Sequence, residues 1–282
     1  MSGRFGQRLL AAVTAHGPVC AGIDPHPELL AGWGLPDSAG GLERFGRAVV
    51  AALAGEVALL KPQSAFFERH GSAGVAALER VLAEARASGT LVVLDVKRGD
   101  IGSTMGGYAL AYLGDGSPLA SDAITVSPYL GFGSLRPALQ VAEKTGRGLF
   151  VLARTSNPEG ADVQLAGLAD GRSVAQAVVD AAAWENADIT PMGDVGVVVG
   201  ATRQHGLDLS GLNGPVLAPG LGAQGAGPAD VAARFAGLRG LVLPAVSRSL
   251  LAAGPDAGAL RAAARQLRED LAAAREAGSA HH

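Results

Sequence analysis

Short apolar runs rich in Val, Leu and Ile recur along the chain at 19–24, 57–61, 91–97, 123–128, 148–155, 194–200, 214–219 and 240–246. They are continuously apolar instead of alternating, which predicts eight strands buried on both faces. Between them, Leu42 to Leu53, Gly74 to Ala87, Leu135 to Lys144 and Val174 to Trp184 place Ala and Leu at helical spacing among charged positions. An amphipathic helical pattern precedes the first run, and an Arg/Ala-rich helix follows Ala257. The interval Ala201 to Asn213 is short and has room for only a turn of helix.

Strand and helix therefore alternate, the pattern of a parallel sheet with helices covering it. Two architectures satisfy it: an open doubly wound sheet, or a closed (β/α)8 TIM barrel. Eight repeats in a chain of this length favour the barrel. No Ser/Pro/Gly linker or change of composition divides the chain, so a single α/β domain over 1–282 is expected, with an extra N-terminal helix.

Composition narrows the function classes. With 48% of its 282 residues apolar, 17% charged and a net charge of −3, the chain can bury a large core. It has neither a disordered composition nor a basic nucleic-acid footprint. One cysteine, Cys20, excludes a disulfide framework and a Cys-rich metal site, and fits a reducing compartment, with the cytoplasm as the default. Its place within an apolar strand suits packing better than nucleophilic attack. No apolar run approaches the ~18 residues of a membrane span. Only three of the 23 basic residues are lysine, namely Lys61, Lys97 and Lys144. A chain that writes arginine almost everywhere keeps lysine where a cation must be able to give up a proton or form an imine.

The densest chemistry is the segment from Leu91 to Thr104, where an apolar strand runs straight into charge. Residues two apart on a strand share a side, so Asp95 and Lys97 project together at the strand's C-terminal end, where barrel enzymes keep their catalytic groups. Asp100 and Thr104, four apart at the start of the next helix, share a face that reaches either a ligand or a neighbouring subunit. A strand-end salt bridge with an acidic helix N-terminus is the plainer account. Lys61 closes a second apolar strand at the same mouth, either as a catalytic cation or as a rim lysine with its head in water.

The segment Pro215 to Pro228 is glycine-rich after the seventh strand, and Ser247-Arg248-Ser249 follows the eighth. Glycine backbone amides beside a strand-end arginine suit a phosphate. Asp24 before Pro25 serves either sugar hydroxyls or an Asx turn. The turn Thr155-Ser156-Asn157-Pro158 offers a hydroxyl to a heterocycle, or is an ordinary turn. No His-x-x-x-His, Gly-x-Ser-x-Gly or Walker loop is present, and the terminal His281-His282 pair carries no metal argument.

The string Asp95-x-Lys97-x-x-Asp100-Ile101-x-x-Thr104, the loop Pro219-Gly220-x-Gly222-Ala223-Gln224 and the pair Ser247-Arg248 together resemble the orotidine 5′-phosphate decarboxylase family, in its longer bacterial branch. Asp24, Lys61 and Ser156 also match its pattern, so the likeness runs over nearly the whole barrel. Ser247 departs from the glycine that many relatives carry, and the segments 33–41 and 129–135 are not placed by the resemblance.

The resemblance implies decarboxylation of orotidine 5′-monophosphate to uridine 5′-monophosphate, the last step of de novo UMP synthesis, with neither metal nor organic cofactor. It implies a homodimer in which Lys61, Asp95 and Lys97 of one subunit meet Asp100 and Thr104 of the other, with Lys97 protonating C6. Asp24 would hold ribose, Ser156 the pyrimidine, and Gln224 with Arg248 the phosphate, in a loop that Pro219 opens. Rival readings are Mg²⁺-dependent sugar-phosphate enzymes sharing the Asp-x-Lys-x-x-Asp string, a Schiff-base aldolase, and a phosphoribosyl-ligand sensor.

Overall fold

All eight apolar runs form strands: β1 Cys20–Ile23, β2 Leu59–Pro62, β3 Leu91–Arg98, β4 Ala123–Val126, β5 Gly148–Arg154, β6 Val195–Val199, β7 Val216–Pro219 and β8 Val242–Val246. Each pairs in parallel with the next, and β8 returns to β1, so the sheet is the closed barrel and not the open alternative. The computed structural model describes residues 3–238 and 240–279, and His281-His282 lies outside them.

Period two along each strand sorts side chains into two cores. Cys20, Leu59, Val93, Ala123, Phe150, Val198, Leu217 and Leu243 fill the barrel lumen. Their neighbours Ala21, Leu60, Val92, Ile124, Val151, Val197 and Val216 face outward against the helices.

The helix Phe5–His16 plugs the N-terminal end of the lumen with Phe5 and Leu9, both fully buried. Phe5 meets Phe150 edge-on, with ring centroids 6.0 Å apart. It sits over Gly148, where a Cβ would lie 2.2 Å from its ring, so only glycine leaves room for it. The backbone N–H of Gly6 and the Nε of Arg4 each donate to Asp194 at 2.7 Å, and Arg8 pairs with Asp122.

The outer ring comprises Ala39–Leu53, Gly71–Ser88, Gly102–Leu113, Arg136–Thr145, Val174–Asn186, Pro228–Arg234 and Ala257–Ser279. The last of these buries Leu260, Ala264 and Leu271 and packs on Pro228–Arg234 and Ala39–Leu53, closing the ring as its pattern predicts. Among the described residues, 201–213 forms no helix. Gly206 and Gly211 interrupt it, and Leu207, Leu209 and Leu212 cover the barrel from irregular backbone. The segment 33–41 is anchored by Trp33, whose Nε1 donates to the carbonyl of Leu251 at 3.1 Å. The segment 129–135 ends in a 3₁₀ turn, Phe132–Leu135.

A cavity of about 1450 Å³ opens at the N-terminal end of the strands, lined by Leu10, Val13, Leu212, Phe235, Leu241 and Leu271 among others. It is largely apolar, whereas the opposite mouth holds Lys61, Asp95 and Lys97. No helix among the described residues is long and apolar enough to cross a membrane.

Candidate active site

The mouth is organised around one carboxylate. Asp95 on β3 is 9% exposed and accepts from Lys97 Nζ at 2.6 Å, from Thr125 Oγ1 at 2.7 Å and from Lys61 Nζ at 3.2 Å. With its amide nitrogen turned inward, Gln63 adds donors to Asp95 Oδ2 at 2.8 Å and to the Asp95 carbonyl at 3.1 Å. A buried carboxylate keeps its charge only when its lone pairs are filled this way.

Asp95 and Lys97 do meet, but not on a flat strand. The register of β3 against β4 shifts between Leu94 and Arg98, and Lys97 takes a left-handed φ of 46°. For a residue with a Cβ that conformation costs about 1–2 kcal/mol. Thr125 helps hold the bulge, since its Oγ1 accepts from the backbone N–H groups of both Val96 (3.0 Å) and Lys97 (2.9 Å). One hydroxyl thus fixes the backbone of Lys97 and the carboxylate that its ammonium faces.

Electrostatics follow from this geometry. Burial alone would raise the Asp95 carboxyl, but Lys61 and Lys97, with hydrogen bonds from Lys97 and Thr125, outweigh it and bring it down to about 2. Burial would likewise lower the Lys61 ammonium, yet Asp24 and Asp95 hold it above the ordinary lysine value. Cys20, within the lumen, has its thiol pushed up to about 12, chiefly by desolvation. It is no nucleophile at neutral pH.

Two carboxylates of the same chain act on Lys61, Asp24 and Asp95. Among the described residues Asp24 Oδ1 is buried without a hydrogen-bond partner, and the turn around Pro25 is closed by backbone, His26 N–H to Asp24 O at 2.7 Å. The Asx turn is therefore not formed.

Asp100 precedes the helix Gly102–Leu113 instead of opening it, and its Oδ1 accepts from Ile101 N–H. Thr104 lies in the first turn and is exposed. Neither joins the Asp95 cluster within one chain. Exposed apolar side chains occur on the same helix and around it: Ile101 at its N-cap, Leu110 near its end, and Tyr129 and Leu130 on the segment after β4.

Across the mouth, Ser156 Oγ donates to Gln224 Oε1 at 3.2 Å, joining the turn after β5 to the loop after β7. Pro219 ends β7, and its carbonyl accepts from Ala201 N–H at 2.8 Å. Gly222 has φ 78°, and a Cβ there would stand 2.1 Å from Ser249 Oγ, so this loop lies directly on the segment that carries Arg248. Arg248 is exposed and forms no ion pair among the described residues.

Two members of the cluster escaped the sequence reading. Thr125 carried a signal, being a lone polar residue within Ala123-Ile124-Thr125-Val126 and in phase with inward Ala123. Gln63, two residues after Lys61, was distinguishable only by its neighbourhood. Lys144 is exposed in the last turn of its helix, where any cation is favourable.

A family model, orotidine 5′-phosphate decarboxylase / HUMPS family, matches residues 17–263. The orotidine 5′-phosphate decarboxylase of Salinispora arenicola is 59% identical over 271 residues, 96% of this chain and 98% of that one. That of Streptomyces coelicolor is 59% identical over 264 residues, 92% and 94% of the two chains. A solved structure from Streptomyces avermitilis superposes with TM-score 0.94 at 57% identity, covering 98% of this chain and 97% of its own. The Leishmania donovani OMP decarboxylase structure superposes with TM-score 0.76 at 32% identity, covering 96% and 98%.

Proposed function

The chain belongs to the orotidine 5′-phosphate decarboxylase / HUMPS family and decarboxylates orotidine 5′-monophosphate to uridine 5′-monophosphate in pyrimidine synthesis; we propose that it does so without cofactor, with Lys97 as proton donor. The observation that carries this reading is the ammonium of Lys97, 2.6 Å from a carboxylate itself fixed by Lys61 and Thr125.

The bond from C6 to its carboxylate breaks, CO₂ leaves, and the electron pair stays on C6 in the plane of the ring. No carbonyl lies in line to delocalise it, so a fixed positive charge must stabilise it where it forms. Lys97 Nζ supplies that charge and then its proton, which arginine would not release. Asp95 holds Lys97 in place and repels the substrate carboxylate by about 1–4 kcal/mol at contact distance, for an effective dielectric between water and a protein surface. Lys61, held charged by Asp24 and Asp95, keeps that carboxylate ionised.

The remaining residues bind. Asp24 Oδ1, a buried acceptor with no protein donor, suits a ribose hydroxyl. Ser156 faces the pyrimidine, while Gln224 and Arg248 hold the phosphate in the loop opened by Pro219. A second copy of the chain, docking on the exposed side of the helix Gly102–Leu113, brings its Asp100 and Thr104 to the site. The chain works as a single barrel domain in the cytoplasm, in keeping with its one buried thiol.

The test is to mix purified protein with orotidine 5′-monophosphate in EDTA and follow ring absorbance. Undiminished turnover is expected. Turnover that requires added Mg²⁺ would overturn the cofactor-free reading and favour the metal-dependent relatives.

A further inference from the structure

The end of β3 carries a second charged side chain that the reaction scheme leaves unused. Arg98 follows Lys97 and points to the other side of the strand. Its guanidinium donates to Glu68 Oε1 at 2.6 Å, to Tyr112 Oη at 3.2 Å and to the carbonyl of Val96 at 3.3 Å. It also lies 5.6 and 5.7 Å from the ring centroids of Tyr108 and Tyr112. The same Glu68 oxygen accepts from Ser64 Oγ at 2.6 Å, and Ser64 directly follows Gln63. The backbone carbonyl of Arg98 accepts from Ser127 N–H at 2.8 Å, beyond the end of β4.

These contacts bracket a strained residue. Lys97 and Asn213 are the two described non-glycine residues with positive φ, and Lys97 has no short polar side chain to ease that conformation. A strained backbone persists only where its surroundings over-determine it. On the site side, Thr125 holds the N–H groups of Val96 and Lys97. On the far side, Arg98 holds the carbonyl of Val96 and spans three elements: the short helix Ser64–Glu68 after β2, the end of β3 and the helix Gly102–Leu113.

We propose that Arg98, with Glu68 as its anchor, is a positioning residue that keeps the β3 bulge in the form that delivers the Lys97 ammonium to Asp95. Arginine suits the task because one planar fork reaches a carboxylate, a phenol and a carbonyl while stacking on aromatic rings; lysine has no such fork. The inference rests on Lys97 being the proton donor.

The experiment compares Arg98→Met, Arg98→Lys, Glu68→Gln and Lys97→Ala. Turnover of orotidine 5′-monophosphate is expressed per site that binds UMP, counted by calorimetry, and thermal unfolding is followed in parallel. Arg98→Met and Glu68→Gln are expected to lower kcat per UMP-binding site about 10- to 100-fold, with KM and UMP affinity changed less than about threefold. Arg98→Lys is expected to recover part of that loss, through its charge on Glu68. A kcat per binding site within about twofold of the parent in Arg98→Met, whatever the loss of thermal stability, overturns the proposal. Lys97→Ala separates the two readings: if it stays active, the proton-donor assignment fails irrespective of Arg98. If it is inactive while Arg98→Met turns over normally, only the positioning role fails.

Discussion

At the residue scale the site depends on charges that would be costly alone and are stable together. On the proposed mechanism, Lys97→Ala removes the charge that stabilises C6 in the transition state but little that the product phosphate or ribose would use. The expected outcome is loss of kcat by at least about 10³-fold with UMP still binding, checked by absorbance assay and calorimetry. Arg248→Ala should act oppositely, raising KM by about 1.5–3 kcal/mol, or roughly 10- to 150-fold, with kcat less affected. An unchanged KM would mean that the phosphate sits elsewhere.

Asp95 gives a pH prediction. Its pKa in the fold, about 2, lies below its ordinary value, so its contribution to stability is present above that ordinary value and is lost as pH falls through the folded one. The stability difference between the parent and Asp95→Asn should therefore be flat from about pH 5 to 8 and shrink below about pH 4, read by urea denaturation at each pH.

At the element scale, two strand ends do unlike work. The C-terminal end of β3 stores strain that β4 helps hold through one threonine. Thr125→Val keeps the shape of the side chain but leaves the N–H groups of Val96 and Lys97 and one Asp95 oxygen short of a partner. It should destabilise by about 1–3 kcal/mol or more and lower turnover, measured by thermal unfolding and kcat. The N-terminal end of β5 needs absence: Gly148→Ala would drive a methyl into the Phe5 ring and loosen the N-terminal plug. A loss of about 1–3 kcal/mol is expected, with activity kept at low temperature because the mouth is at the far end of the barrel.

At the scale of the whole molecule, the barrel separates packing from chemistry. Its N-terminal end is closed by the helix Phe5–His16, and its C-terminal end gathers side chains from β2, β3 and β4 around Asp95, with Asp24 after β1 acting on Lys61 and the loops after β5, β7 and β8 opposite. One chain alone leaves Asp100 and Thr104 outside that cluster, at the start of a helix on which Ile101 and Leu110 are exposed. If a second copy completes the site, mixing inactive Lys97→Ala with inactive Asp100→Asn should restore activity as protomers exchange, to about a quarter of the parental sites at random reassortment. Absence of any recovery after exchange, verified by native mass spectrometry, would place Asp100 in its own chain's site or in none.

The sequence alone determined the architecture, because eight apolar runs separated by helical periods admit few ways to bury both sheet faces. It also determined that Lys61, Asp95 and Lys97 gather at one end of the barrel, since they sit where apolar strands stop. Tertiary structure decided the rest. That Asp24 acts on Lys61 beside Asp95, that Thr125 and Gln63 serve Asp95, and that Arg98 braces the bulge from behind all depend on strands far apart in the chain becoming neighbours. Local patterning reports which face a side chain takes; only closure of the barrel determines what it meets there.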